Sequence, residues 1–260
     1  MFFSKPGEYA PCKMFSSGHF ILLSITLIIV IVVLCFTKNM NKDKVKDTIR
    51  KSTVFLWILE IIKIIFNLII GNSANPNNYI PLYYCSLILY AGLLSGFSKG
   101  KLKKIGDVFI STGAIIGGLF FLFCPNTSLP AYPMFHYISI QSFIFHGTML
   151  YLGLLVNITN YIDLKISDIK YYAILITIIS CISYVVNKIL GTNFMFISDN
   201  FPNTPVEIVY NLTGKFFTLV MILIQVVGPF YLIYFIKYLI KQAKNQFDKK
   251  KMSQWDGAKN

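Results

Sequence analysis

Imidazole, thiol and carboxylate groups are few in this sequence, and several interrupt stretches that are otherwise apolar. His146 lies within the run 135–157, and Cys85 lies near the start of the run 79–97. An imidazole that takes the proton of a cysteine makes a thiolate, which starts acyl transfer through a covalent intermediate. Glu60, Lys63 and Asn67 are spaced i, i+3, i+7 and share one helical face. His136, Ser139, Ser142 and His146 fall within an arc of about 120° on another. This pattern suggests His146 as general base and Cys85 as nucleophile, with Glu60 and His136 orienting them. Asn187 or Asn193 would donate to an oxyanion, and His19, Lys63, Asn67 and Tyr83 would contact the substrate. Each group also has a plainer reading. Glu60 and Lys63 can neutralise one another, Lys188 can snorkel to the headgroups, and His19 and His136 can anchor the membrane interface. Cys85 can be a small buried thiol.

The elements that must position these groups are membrane spans. The chain is 55% hydrophobic and only 13% charged, against about 25% charged residues in ordinary soluble domains. Seven apolar runs of roughly the length that crosses a bilayer cover 19–37, 53–70, 79–97, 105–124, 135–157, 170–190 and 216–240. The first has no cleavage site after it and reads as a retained span. Of the 24 Lys and Arg residues, nineteen lie in 38–52, 98–104, 158–170 and the C-terminal tail, three lie in the alternate segments, and two lie within spans. The positive-inside rule then gives an all-α polytopic helical bundle of seven transmembrane helices, with the N-terminus outside and the C-terminus in the cytoplasm. One domain, 1–241, holds all seven spans, and 242–260 is a basic cytoplasmic tail. The net charge of +13 sits in short clusters between runs, which argues against nucleic acid as a partner.

Direction assigns depth. His19, Lys63, Asn67, Tyr83, Cys85, His136 and Asn187 all fall in the outer half of the bilayer, with Glu60 and His146 near its middle. Polar groups in hydrocarbon are costly and usually face a protein interior or water, so this convergence predicts a polar cavity opening outward. Gly113, Gly117 and Gly118 make the fourth run a close-packing helix. Gly228-Pro229 should kink the seventh, and the segment 191–202 reads as a lid across the outer mouth.

Short motifs along most of the chain carry a family resemblance. They are Gly18-His19, Pro81 through Cys85, His146-Gly147, Asn187 through Phe196 followed by Pro202, and Gly228-Pro229. With these the chain resembles the YwaF-like integral membrane proteins, bacterial relatives of transmembrane protein 164. The resemblance implies phospholipid acyltransferase chemistry, with a cysteine nucleophile in a Pro-Cys-His stretch. Here Pro81 is followed by Leu82 and Tyr83. Against the bacterial pattern Pro-Leu-His-Leu-Cys, the chain keeps Pro81, Leu82 and Cys85 and has Tyr83 for the histidine.

The expected function is therefore an integral membrane protein with an outward-facing polar site for acyl transfer or hydrolysis on a lipid. The alternative is a small-solute transporter or a binding subunit without catalysis. No cofactor or metal is expected: the five cysteines form no CxxC pair and no metal-ligand spacing with histidine. Membrane lipids are the expected partners, and a bacterial plasma membrane is the expected location. The oligomeric state and any pairing of Cys12 with Cys124 stay open.

Overall fold

The computed structural model describes the backbone of residues 1–202 and 204–257, with side chains to Phe247. The end of the expected tail, 258–260, lies outside the described residues. Among those residues there are helices and connecting segments and no strand. The helices are α1 (Ser17–Thr37), α2 (Lys42–Ile69), α3 (Leu87–Phe97), α4 (Gly100–Ser111), α5 (Gly113–Phe123), α6 (Tyr137–Ile158), α7 (Ile169–Leu190), α8 (Pro205–Thr213) and α9 (Phe217–Gly257).

Six apolar helical stretches are long enough to cross a membrane: α1, α2, α4 with α5, α6, α7 and the stretch that ends in α9. The remaining run, the third of the sequence, is helical only over Tyr84–Phe97. The eleven residues of α3 rise about 16 Å, half of a hydrocarbon core of about 30 Å. Pro81 explains the shortfall, because its ring removes a backbone donor and the residue before it avoids helical backbone. The freed carbonyls find side chains instead. Tyr90 donates to the Pro81 carbonyl at 3.1 Å, and Ser183 of α7 donates to that of Leu82 at 3.4 Å. Non-helical backbone at membrane depth survives only where protein satisfies it in this way.

The fourth span is also interrupted. At Thr112 the backbone leaves the helical region (φ −126°, ψ −74°), and the Thr112 hydroxyl donates to the Val108 carbonyl at 2.7 Å. Ser, Asn and Thr caps start α1, α2 and α8. Ser16 accepts from the His19 amide at 3.3 Å, Asn41 from that of Lys44 at 2.9 Å, and Thr204 from that of Val206 at 3.2 Å.

The fourth span sits at the centre. Its apolar window is 83% buried and that of α6 is 72% buried, against 22% for α1 and 17% for the last span. One end of the bundle carries the basic segments and is knotted by ions. Asp107 accepts from Ser95 at 2.6 Å and pairs with Lys103, while Asp168 pairs with Lys104 at 2.9 Å. The Arg50 guanidinium donates to the Gly96 carbonyl at 2.7 Å. The opposite end is closed by irregular chain. Residues 1–16 strap across it, with the Cys12 amide on the Tyr132 carbonyl at 2.9 Å and the Tyr137 amide on that of Phe2 at 2.9 Å.

Candidate functional site

The register of α2 against α3 places the first groups. Arg50 lies on Gly96, Thr53 lies on Gly92, and Trp57 meets the Tyr90 ring edge-on at 5.9 Å. Any side chain at Gly92 would collide with the Thr53 hydroxyl, so glycine lets the two helices touch. One turn further along α2, the same register carries Glu60 toward the short 3-10 turn Tyr84–Ser86 that leads into α3. The Glu60 carboxylate is buried and lies 2.6 Å from the Lys63 ammonium, whose side chain is a quarter exposed. Their approach lacks hydrogen-bond geometry at Oε1, so charge holds the pair.

The second half of the site is built on α5. Gly118 lets α6 approach so closely that a Cβ there would sit 3.1 Å from the His146 carbonyl. A Cβ at Gly117 would meet Met149 at 2.7 Å and the Tyr84 ring at 3.1 Å. The turn at Tyr84 and α6 thus dock side by side on α5. Tyr84 is further tied to Tyr172 of α7 by a 2.6 Å hydroxyl pair. The His146 ring stacks flat on Phe121, with centroids 3.6 Å apart and planes 9° from parallel.

The hydrogen bonds of the three histidines separate them. In His146, Nδ1 lies 2.7 Å from the Ser142 carbonyl. A carbonyl only accepts, so Nδ1 carries the proton and Nε2 keeps a lone pair. That Nε2 is buried and has no partner among the described residues. In His19, Nδ1 accepts from the Phe15 amide at 3.1 Å, and Nε2 donates to the Leu122 carbonyl at 2.9 Å. That carbonyl belongs to the last turn of α5, which lacks helical partners, so His19 caps α5. In His136, Nδ1 accepts from the Ile138 amide at 3.1 Å as the N-cap of α6, and Nε2 donates to the Ser4 carbonyl at 3.1 Å. His136 also stacks on Tyr132 at 4.2 Å, whose phenol burial pushes up from its ordinary value. Both nitrogens of His19 and His136 are therefore occupied.

The other expected contact residues hold loops. The Asn67 amide donates to the Lys63 carbonyl at 2.9 Å and to that of Asn78 at 3.1 Å. Asn187 donates to the Phe194 carbonyl at 3.1 Å and to Ser198 at 2.7 Å, and accepts from Thr192 and the Phe194 amide at 2.8 Å each. Asn193 accepts from the Ser198 and Asp199 amides at 3.1 and 3.2 Å. Tyr83 donates to Asn77 at 3.1 Å and packs between Phe194 and Phe196. Residues 191–201 form a loop whose Phe194, Met195 and Ile197 are fully buried. Met195 and Phe196 take left-handed backbone (φ 57° and 51°), held by Gln225 on the Met195 carbonyl at 2.7 Å. In the expected outer half, then, much of the polar inventory ties segments across the end of the bundle. Of the expected site residues, Glu60 and Lys63 are left to pair with one another, and His146 keeps an unused Nε2.

Several buried polar groups escaped sequence reasoning, two of them near the middle of the membrane-crossing helices α2 and α7. The Trp57 indole nitrogen and the Ser180 hydroxyl are buried without a partner among the described residues. Trp57 sits one turn from Glu60, a spacing visible in the sequence, but nothing there signals that its N–H is unused. All five cysteines are free thiols. No three His, Cys, Asp or Glu side chains among the described residues form a metal-binding group.

No curated protein and no solved structure matches the chain. The model of the TMEM164 family, however, matches residues 14–244, all but the two ends. That match reaches every membrane-crossing helix and includes Glu60, Lys63, Cys85 and His146, and the chain is an integral membrane protein of the TMEM164 family.

Proposed function

We propose that this protein transfers or hydrolyses an acyl group of a membrane lipid at the Cys85–His146 site. One observation carries the reading: among three histidines, only His146 keeps an unused ring nitrogen, and it is buried at mid-bundle. A buried polar atom without a partner costs free energy, and such atoms are kept where function needs them.

The chemistry follows from the groups present. His146 Nε2 takes the Cys85 proton, and the thiolate sulfur attacks the ester carbonyl carbon. The tetrahedral adduct collapses to an acyl thioester and expels the alcohol, which takes the proton back from His146. Water or a second lipid hydroxyl, deprotonated by His146, then attacks the thioester and releases the thiol. In this scheme the Lys63 ammonium, held by Glu60 at 2.6 Å, is the counter-charge for the thiolate. Asn187 and Asn193 have their side chains occupied, so the unused Trp57 N–H is the better donor to the carbonyl oxygen.

The test is labelling by a lipid-ester probe in membranes, comparing wild type, Cys85→Ala and His146→Gln, with monodispersity as the folding control. Loss of labelling in both folded variants is expected. Labelling that persists in folded Cys85→Ala refutes the reading. A passage for a small solute is the second reading, favoured by the interrupted third and fourth spans, since broken helices line transporter sites.

A further inference from the structure

On the face of α6 away from His146, an apolar crevice of about 290 Å³ opens between α1, α2 and α6. Its walls are Val30 and Val33 of α1, Ser52 and Phe55 of α2, and Gly147 and Tyr151 of α6. α1 leans on α6 rather than on α2, its neighbour in sequence, and the slot is what their separation leaves. It narrows at Gly147, where a Cβ would sit 2.6 Å from the Thr26 methyl. Every wall belongs to a membrane-crossing helix.

Size and charge decide the occupant. An apolar cavity of about 150 Å³ takes a benzene ring, so this one takes roughly a dozen carbon atoms, a stretch of hydrocarbon chain. A second helix, about 10 Å across, does not fit a slot pinched by Gly147 and Thr26. Lys44 and Lys51 follow the Ser52–Phe55 face of α2 beyond the slot, at helical spacing, and Lys38 closes α1 beside them. All three lysines are exposed. Lys51 holds Asp47 at 2.7 Å, but both side chains are more than half exposed, and such surface pairs exchange readily. An apolar slot rimmed by cations is complementary to an anionic amphiphile.

We infer that the α1–α2–α6 crevice binds one acyl chain of an anionic phospholipid, whose phosphate lies on Lys38, Lys44 and Lys51. This site is separate from the proposed acyl chemistry, since most of its α6 lining, Ile144, Gly147, Thr148 and Tyr151, is turned about 100° or more around the helix from His146. Its failure would leave Cys85 and His146 untouched.

The experiment uses the full chain in nanodiscs containing phosphatidylglycerol with a photoreactive group in one acyl chain. After irradiation, adducts are mapped by peptide mass spectrometry. They should concentrate on 26–33, 52–55 and 143–151, and exceed those on the lipid-facing groove of α7 at Cys181–Val186, the internal control. Thr148→Trp, which fills the slot from α6, should bring them down to the α7 level and leave the α7 adducts unchanged. Lys44→Gln with Lys51→Gln should do the same for phosphatidylglycerol and leave phosphatidylcholine labelling unaltered. Adducts no denser in the crevice than on α7 overturn the proposal. So do adducts indifferent to both sets of substitutions, or disulfide dimers through Val33→Cys, which would put a second copy there.

Discussion

Replacing His146 and His19 by leucine should have unequal consequences for stability, although both are buried imidazoles. His19→Leu removes two hydrogen bonds and strands both partners, the Phe15 amide and the Leu122 carbonyl. Hydrogen bonds within membrane proteins average about 0.6 kcal/mol, and each stranded buried group adds about 1 kcal/mol or more. The expected cost is about 2–4 kcal/mol. His146→Leu also loses one bond, but its acceptor, the Ser142 carbonyl, lies inside α6 and keeps its helical partner. Loss of the Phe121 stack costs about 0.5–1.5 kcal/mol, and removal of the unpartnered Nε2 returns about 1–3 kcal/mol. The balance is within about 1 kcal/mol of neutral. Unfolding of the purified variants in mixed micelles, titrated with sodium dodecyl sulfate, measures both. If His146→Leu proves as damaging as His19→Leu, then Nε2 has a partner in the native protein and the reasoning that makes it the base is wrong.

Removing only one hydroxyl of the buried Tyr84–Tyr172 pair should cost about 1–2 kcal/mol, because the other is left without a partner. The double change Tyr84→Phe with Tyr172→Phe should cost less than the sum of the singles, a non-additivity the same titration reads as a double-mutant cycle. Asn187→Ala strands the Phe194 amide and carbonyl and should cost about 2–4 kcal/mol. It should also raise amide hydrogen exchange across 191–201 more than in α6. Uniform exchange in the two regions would show that Asn187 does not hold the loop.

Much of the architecture is legible in the sequence because it rests on two long-range averages. Apolar run length locates the spans, and the alternation of Lys and Arg numbers them. Local events are harder to read. Pro81 marks where the third span cannot be helical, but an apolar window averages over it. The break at Thr112 has no proline at all, and depends on packing that hydropathy does not contain. The candidate site is legible by residue type and depth only. Sequence put two histidines in the outer half of the bundle and one near its middle; which of six ring nitrogens is unused depends on the Phe15 amide, the Leu122 carbonyl and the Ser4 carbonyl, which reach them from distant segments. The same holds for Trp57, whose unused N–H follows from the shape of the α2–α3 contact.

The ion pairs at the basic end bear on how such a chain is read while it is being made. Lys103 and Lys104 are held by Asp107 and Asp168, so half of the four lysines in 98–104 are neutralised once the helices have packed. Asp168 arrives with α7, long after the third and fourth spans have been synthesised. Insertion machinery therefore meets the lysine of the later pair unpartnered, and carboxylates weigh little in that decision. These lysines act first as address labels and later as rivets. Removing Asp168 touches only the second use, whereas removing Lys104 touches both.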